Sequence, residues 1–144
     1  MIIKVIAQYL FIFITSCNVL NFSEGEVTTN LKLESDEISN LRDIEATFTV
    51  RNGTDETKKY SFSSGCQSAF KVLKEGVEVF NSIQNIGCTQ ATSSLKLQKR
   101  ESKTVAIPKY LDEELEPDKY IFKAFLIGYE QEVSASKKFF IVSN

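Results

Sequence analysis

The stretch IEATFTVRN, residues 44–52, places Ile44, Ala46, Phe48 and Val50 on one side of an extended chain and Glu45, Thr47, Thr49 and Arg51 on the other. Successive side chains of a strand point to opposite faces, so a strict two-residue period buries one face and wets the other. Wound into a helix, the same residues would scatter their apolar groups around the whole surface. The stretch therefore reads as a half-buried antiparallel strand, and the pattern recurs. Residues 27–33 predict the first strand, and KKYSF (58–62) turns Tyr60 and Phe62 inward. AFKVLKEGVEVFNS (69–82) reads as a hairpin, with Phe70 and Val72 rising, Lys74-Glu75-Gly76 turning, and Val77 and Val79 returning. Two short strands flank Lys99–Glu101, carrying Leu95 and Leu97 before it and Val105 and Ile107 after it. KYIFKAFLIGY (119–129) is apolar on both faces and predicts a central strand, and KKFFIV (137–142) closes the domain.

Turn chemistry separates these runs. Asn52-Gly53 suits the positive φ angles of a tight hairpin, and Gly76 supplies the same freedom in the next turn. SDEISNLRDIE (35–45) has Ile38, Leu41 and Ile44 at helical spacing, but the clean alternation that follows favours a loop and strand edge. YLDEELEP (110–117) reads as an acidic connection. Short strands separated by regular turns predict an all-β chain, an immunoglobulin-like antiparallel β-sandwich. LEPDKYIF (115–122) fits the tyrosine corner of such sandwiches, with Tyr120 either the corner phenol or an interior strand aromatic.

The chain contains no histidine, which removes Ser-His-Asp and Cys-His catalysis and histidine-based zinc sites. The acids Asp112, Glu113, Glu114 and Glu116 form a run without the spacing of a calcium loop and read as a solvated face. No catalytic residue, metal ligand or cofactor-binding residue is expected, and the chain reads as a non-enzyme that needs no cofactor. A net charge of −2, with basic residues gathered no further than short pairs such as Lys99-Arg100, argues against a nucleic-acid partner.

Residues 1–16 have one charge, Lys4, followed by an apolar run from Val5 to Ile14 broken only by Gln8. That run is shorter than the ~20 residues a membrane-spanning helix needs and fits the hydrophobic region of a signal peptide. Ile14-Thr15-Ser16-Cys17 resembles a bacterial lipobox, so Cys17 is expected to carry lipid, which leads to membrane attachment at the cell envelope. The expected organisation is a signal peptide over 1–16, a lipidated N-terminus and tether over 17–25, and one sandwich domain over 26–144. With Cys17 acylated, Cys66 and Cys88 remain as an even pair in an oxidising compartment. A metal site lacks further soft ligands and a catalytic thiol lacks a base, so a Cys66–Cys88 disulfide is expected.

FTVRNGTDE (48–56), YSFSSGCQSAFKVLKEGVEVF (60–80), CTQATSSLKL (88–97) and LEPDKYIFKAFL (115–126) together resemble, in order, the BsuPI family of intracellular proteinase inhibitors. Phe48, Val50 and Asn52 match its F-x-V-x-N strand end, Phe62, Ser64, Gly65, Gln67 and Phe70 its Ser-Gly turn, and Thr89-Gln90 its T-Q step. The resemblance implies an immunoglobulin-like sandwich and a protease as partner. No motif position transfers as an inhibitor reactive site. Two functions are expected: a lipid-anchored, non-catalytic protein-interaction module at the envelope, or an inhibitor of a serine, subtilisin-like protease.

Overall fold

The computed structural model describes residues 25–109 and 113–143. The expected signal peptide, the lipid site at Cys17 and the acid Asp112 lie outside the described residues.

Ten strands are present among the described residues: β1 (Val27–Leu33), β2 (Glu37–Ile38), β3 (Ala46–Asn52), β4 (Lys58–Phe62), β5 (Ser68–Lys74), β6 (Val77–Asn81), β7 (Ser93–Leu97), β8 (Ser102–Val105), β9 (Asp118–Leu126) and β10 (Ser134–Ile141). One layer is a five-stranded sheet in the order β2-β10-β9-β5-β6, antiparallel except for the short β2–β10 pair. The other elements are the three-stranded β1-β3-β8 sheet and the β4-β7 ribbon. Their inner faces meet in one core, where Phe48 and Val50 of β3 and Leu95 and Leu97 of β7 join Phe70, Val72, Phe122 and Phe139 of the large sheet. Phe70 and Phe122 stack at 4.7 Å between centroids, and Phe122 meets Phe139 edge-on at 6.5 Å. The molecule is an all-β sandwich.

The first strand occupies the expected residues, and the doubly apolar run becomes β9, central in its sheet with Ala124 opposite Ala135 on one side and Phe70 on the other. The helically spaced 35–45 segment resolves into the edge strand β2 and a single 3-10 turn, Leu41–Asp43, capped by Asn40 through a 3.0 Å bond from Arg42 N. Tyr120 is at once an interior aromatic, 3% exposed, and the corner phenol, donating to Glu116 O at 2.8 Å.

One expectation is corrected. Asn52-Gly53 is no tight hairpin: among the described glycines only Gly25, Gly76 and Gly128 have positive φ, and β3 pairs with β1 and β8 rather than with β4. The asparagine is instead a buried clamp. Its Nδ2 donates to Glu56 O, Leu97 O and Gln98 O at 2.7, 3.1 and 3.0 Å, while Oδ1 accepts from the N–H and hydroxyl of Thr54. The β5–β6 hairpin forms, with φ of 50° at Glu75 and 82° at Gly76. Its returning valines are exposed, Val77 at 65% and Val79 at 39%, and Phe80 is the buried residue of that strand. A bulge between Val72 and Leu73 shifts the register, so simple alternation fails there.

Candidate functional site

Cys66 and Cys88 are joined by a disulfide with their Cα atoms 5.4 Å apart. The bond ties the β4–β5 turn to the long β6–β7 connection, and polar contacts reinforce it. Gly65 N donates to Thr89 O at 3.0 Å, Ser93 Oγ to Ser64 O at 2.7 Å, Cys66 N to Ser64 Oγ at 3.3 Å, and Gln67 Nε2 to Ser94 O at 3.2 Å. Gly65 is required by this approach, because a Cβ there would run into the side chain of Thr89.

The β6–β7 connection starts from a fixed point. Ser82 is fully buried, and its hydroxyl accepts from Phe70 N at 2.9 Å. A 3-10 turn over Ser82–Gln84 follows, capped where Asn81 Oδ1 accepts from Ile83 N, and closed where the N–H groups of Asn85 and Ile86 both donate to Ser82 O at 3.0 Å. The chain then crosses to the disulfide and onward to β7 as irregular, exposed backbone. Tyr129, from the β9–β10 turn, braces the neighbouring strand by packing edge-on against Tyr60 at 4.9 Å while its hydroxyl contacts the backbone of Ser61. Ile127 N donates to Gln67 O at 3.0 Å, so three connections share this end of the sandwich.

Charge distribution distinguishes these loops. A quarter of the chain is charged, yet residues 60–70 and 79–94 contain no Asp, Glu, Lys or Arg. The surface they form is neutral and rich in small polar side chains. Charged groups concentrate elsewhere. On the outer face of the large sheet Lys71 and Lys123 stand opposite one another across β5 and β9, bridged by Glu130 at 3.0 Å to each, with Glu78 3.1 Å from Lys71. Partial burial pushes the Glu130 carboxyl up, but hydrogen bonds from Lys71 and Lys123 outweigh it and hold the group below the usual carboxylate range. The bond to Glu130 correspondingly raises Lys71. At the far end Asp55 is held down by Lys99 and Arg100.

None of these groups assembles a reacting centre. Lys71 and Glu130 neutralise one another on a solvated sheet face, where neither is offered to a cleft. Of the acidic run, Glu116 serves the fold through its carbonyl, and the described residues hold no cluster of three potential metal ligands. Between the sheets, beside Leu41, Ile44, Phe70, Ile107 and Phe122, opens a cavity of about 250 Å³. That is below the roughly 300–1,000 Å³ of small-molecule sites, and its lining is mixed, with Arg42, Glu45 and Lys109 beside the apolar residues.

Of the residues singled out in the sequence, Cys66 and Cys88 come together, while Cys17 lies outside the described residues. The contributions of Ser64, Ser82, Ser93 and Tyr129 carry no local signature, since each acts through a partner distant in sequence. The only signals were the Ser-Gly turn and the T-Q step, which prove to be Gly65 and Thr89 packed on one another.

A family model described as BsuPI, intracellular proteinase inhibitor, matches residues 27–131, from β1 into the β9–β10 turn. No curated protein matches the chain.

Proposed function

The chain belongs to the BsuPI family of intracellular proteinase inhibitors, and on that premise we propose that it is a non-catalytic inhibitor of a serine, subtilisin-like protease, exported and held at a bacterial cell envelope by lipid on Cys17. The observation that carries the inhibitory reading is the stapled, charge-free double loop. An inhibitor must present exposed backbone to a protease without being rapidly cut, which calls for a loop whose conformation is fixed before binding. The disulfide and the bonds from Gly65 and Ser93 provide that fixation. The absence of charge lets the surface enter a cleft without the cost of desolvating an ion.

Export is supported by the leader-like N-terminus with Ile14-Thr15-Ser16-Cys17, and by the disulfide itself, since structural disulfides persist mainly in oxidising compartments. Acylation would keep the domain at the membrane, as each buried CH₂ of lipid adds about 0.8 kcal/mol. Intact mass of the native protein with and without reduction tests this part: loss of residues 1–16 with an added acyl mass is expected, and an unmodified N-terminus removes it.

Titration of the protein against a panel of subtilisin-like proteases tests inhibition. Stoichiometric loss of activity is expected with at least one of them, whereas full activity at large molar excess overturns the reading. A second reading is favoured by one observation, the leader-like N-terminus of a chain whose family is described as intracellular. In that reading the domain is an interaction module that holds an envelope protein without blocking an active site. Recovery of one specific partner from envelope extracts, with every protease of the panel left active, would select it.

A further inference from the structure

The two stapled loops are not equivalent. In the β4–β5 turn the backbone is committed: Gly65 N is bonded to Thr89 O, Ser64 O accepts from Ser93 Oγ, Cys66 N is bonded to Ser64 Oγ, and Gln67 O accepts from Ile127 N. This turn is a support. Across it lies the segment Thr89–Thr92, whose four side chains are all exposed. Its two ends are pinned, at the start by the Cys88 disulfide and the bond to Thr89 O, and at the finish by Ser93, which bonds Ser64 O and opens β7 opposite Phe62. Between the pins, the backbone N–H and C=O groups of Gln90, Ala91 and Thr92 make no hydrogen bond among the described residues.

Backbone groups left open on a segment of fixed span are what an extended-peptide cleft completes, because such clefts recognise a strand through main-chain bonds and read its side chains in pockets. Holding the segment at both ends removes much of the ordering cost that a free peptide pays. The side chains Thr89, Gln90, Ala91 and Thr92 are uncharged and of small to moderate size. The geometry points to Thr89–Thr92 as the segment that occupies the substrate cleft of the inhibited protease, an endoprotease whose pockets take small, uncharged side chains. The assignment rests on the inhibitory reading above and adds to it the contact segment and the specificity class.

The experiment is a lysine scan of the full chain, T89K, Q90K, A91K and T92K, titrated against subtilisin and against trypsin, whose pocket selects a basic side chain. All four positions are solvent-exposed, and the melting temperature of each variant, T89K above all because Thr89 packs on Gly65, checks that the fold is retained. At one of the four positions lysine should strengthen trypsin inhibition by about tenfold or more, and at the same position weaken inhibition of the protease blocked by the native chain by a similar factor. T104K, on the exposed side of β8, should change neither. Inhibition by the native chain that is untouched by all four substitutions overturns the assignment of the segment and leaves the inhibitory reading standing. A trypsin gain in T104K equal to that in the scan shows bulk charge at work and also overturns the assignment. If the native chain blocks no protease and no lysine creates trypsin inhibition, both fall. A trypsin gain confined to the segment upholds the assignment, whichever protease is the natural target.

Discussion

The β4-β7 ribbon has a differently fastened loop pair at each end. At one end the β4–β5 turn and the β6–β7 connection are joined by Cys66–Cys88 and carry no charge. At the other, the 53–57 loop and the 98–101 turn are joined by the buried amide of Asn52, with Asp55, Lys99 and Arg100 forming ion pairs above it. The amide works by satisfying carbonyls, so it consumes the backbone polar groups of the loops it holds. The disulfide needs none of them. A covalent fastener thus leaves loop backbone available for recognition, whereas a hydrogen-bonded clamp fixes its loops by using that backbone up. On the proposed function, this difference suits the first end to binding and the second to a structural corner.

The largest effect is expected at the disulfide. Replacing both Cys66 and Cys88 by alanine frees a 22-residue separation and should cost about 3 kcal/mol, lowering the melting temperature by about 10 °C in a domain of this size. Reduction of the native protein should reproduce the loss, and an unchanged midpoint in non-reducing buffer would show that the bond is not a fastener. Next in size is Asn52→Ala, which leaves three carbonyls and Thr54 without their partner in a fully buried site and should cost about 2 kcal/mol by denaturant titration. If the two ends are independent, the losses from the disulfide and Asn52 variants should add in the combined variant, and marked non-additivity would show the ends to be coupled through the ribbon.

A smaller effect comes from Glu130, in the β9–β10 turn that shares the stapled end. Folding holds its carboxyl below the ordinary value of about 4.5. Its stabilisation is therefore complete above that pH and drains away as the pH falls through the folded value. Native protein should lose more stability than Glu130→Gln between about pH 5 and pH 3 in matched melts, and parallel curves would remove the bridge from the account. Smallest of all is Asp55→Asn. Asp55 is solvated, so although Lys99 and Arg100 lower its carboxyl, its loss should move the melting temperature by less than about 1 °C. A larger shift would mean that charge, and not Asn52, fastens that end.

Much of this was legible in the chain because it depends on local periodicity. β1, β3 and β9 follow from alternation or its absence, and Tyr120 follows from the Pro-led turn before it. Asn52 shows where local reading stops. Asn-Gly is a turn signal only if the asparagine backbone makes the turn. Here β3 ends beside a different sheet partner, and the side chain was needed for carbonyls up to 46 positions away. The exposure of Val77 and Val79 was not legible either, since the register shift that skips Val79 in the β5–β6 pairing leaves no mark on the alternation itself. The stapled site was half visible. Its two cysteines were evident from counting, but which loop supports and which is presented depends on the fate of individual N–H and C=O groups.

The disulfide also determines what cutting the chain can do. It closes a ring from Cys66 to Cys88 that contains the whole β5–β6 hairpin. A single peptide bond broken between Gln67 and Gly87 leaves every residue covalently attached, and the nicked protein comes apart only on reduction. A break among Thr89–Thr92 falls just outside the ring and yields two separate polypeptides, kept together only by pairing such as β5 on β9 and β4 on β7. The same connection therefore has one arm whose cleavage is silent to fragment size until the thiols are freed, and one where any cut is visible at once.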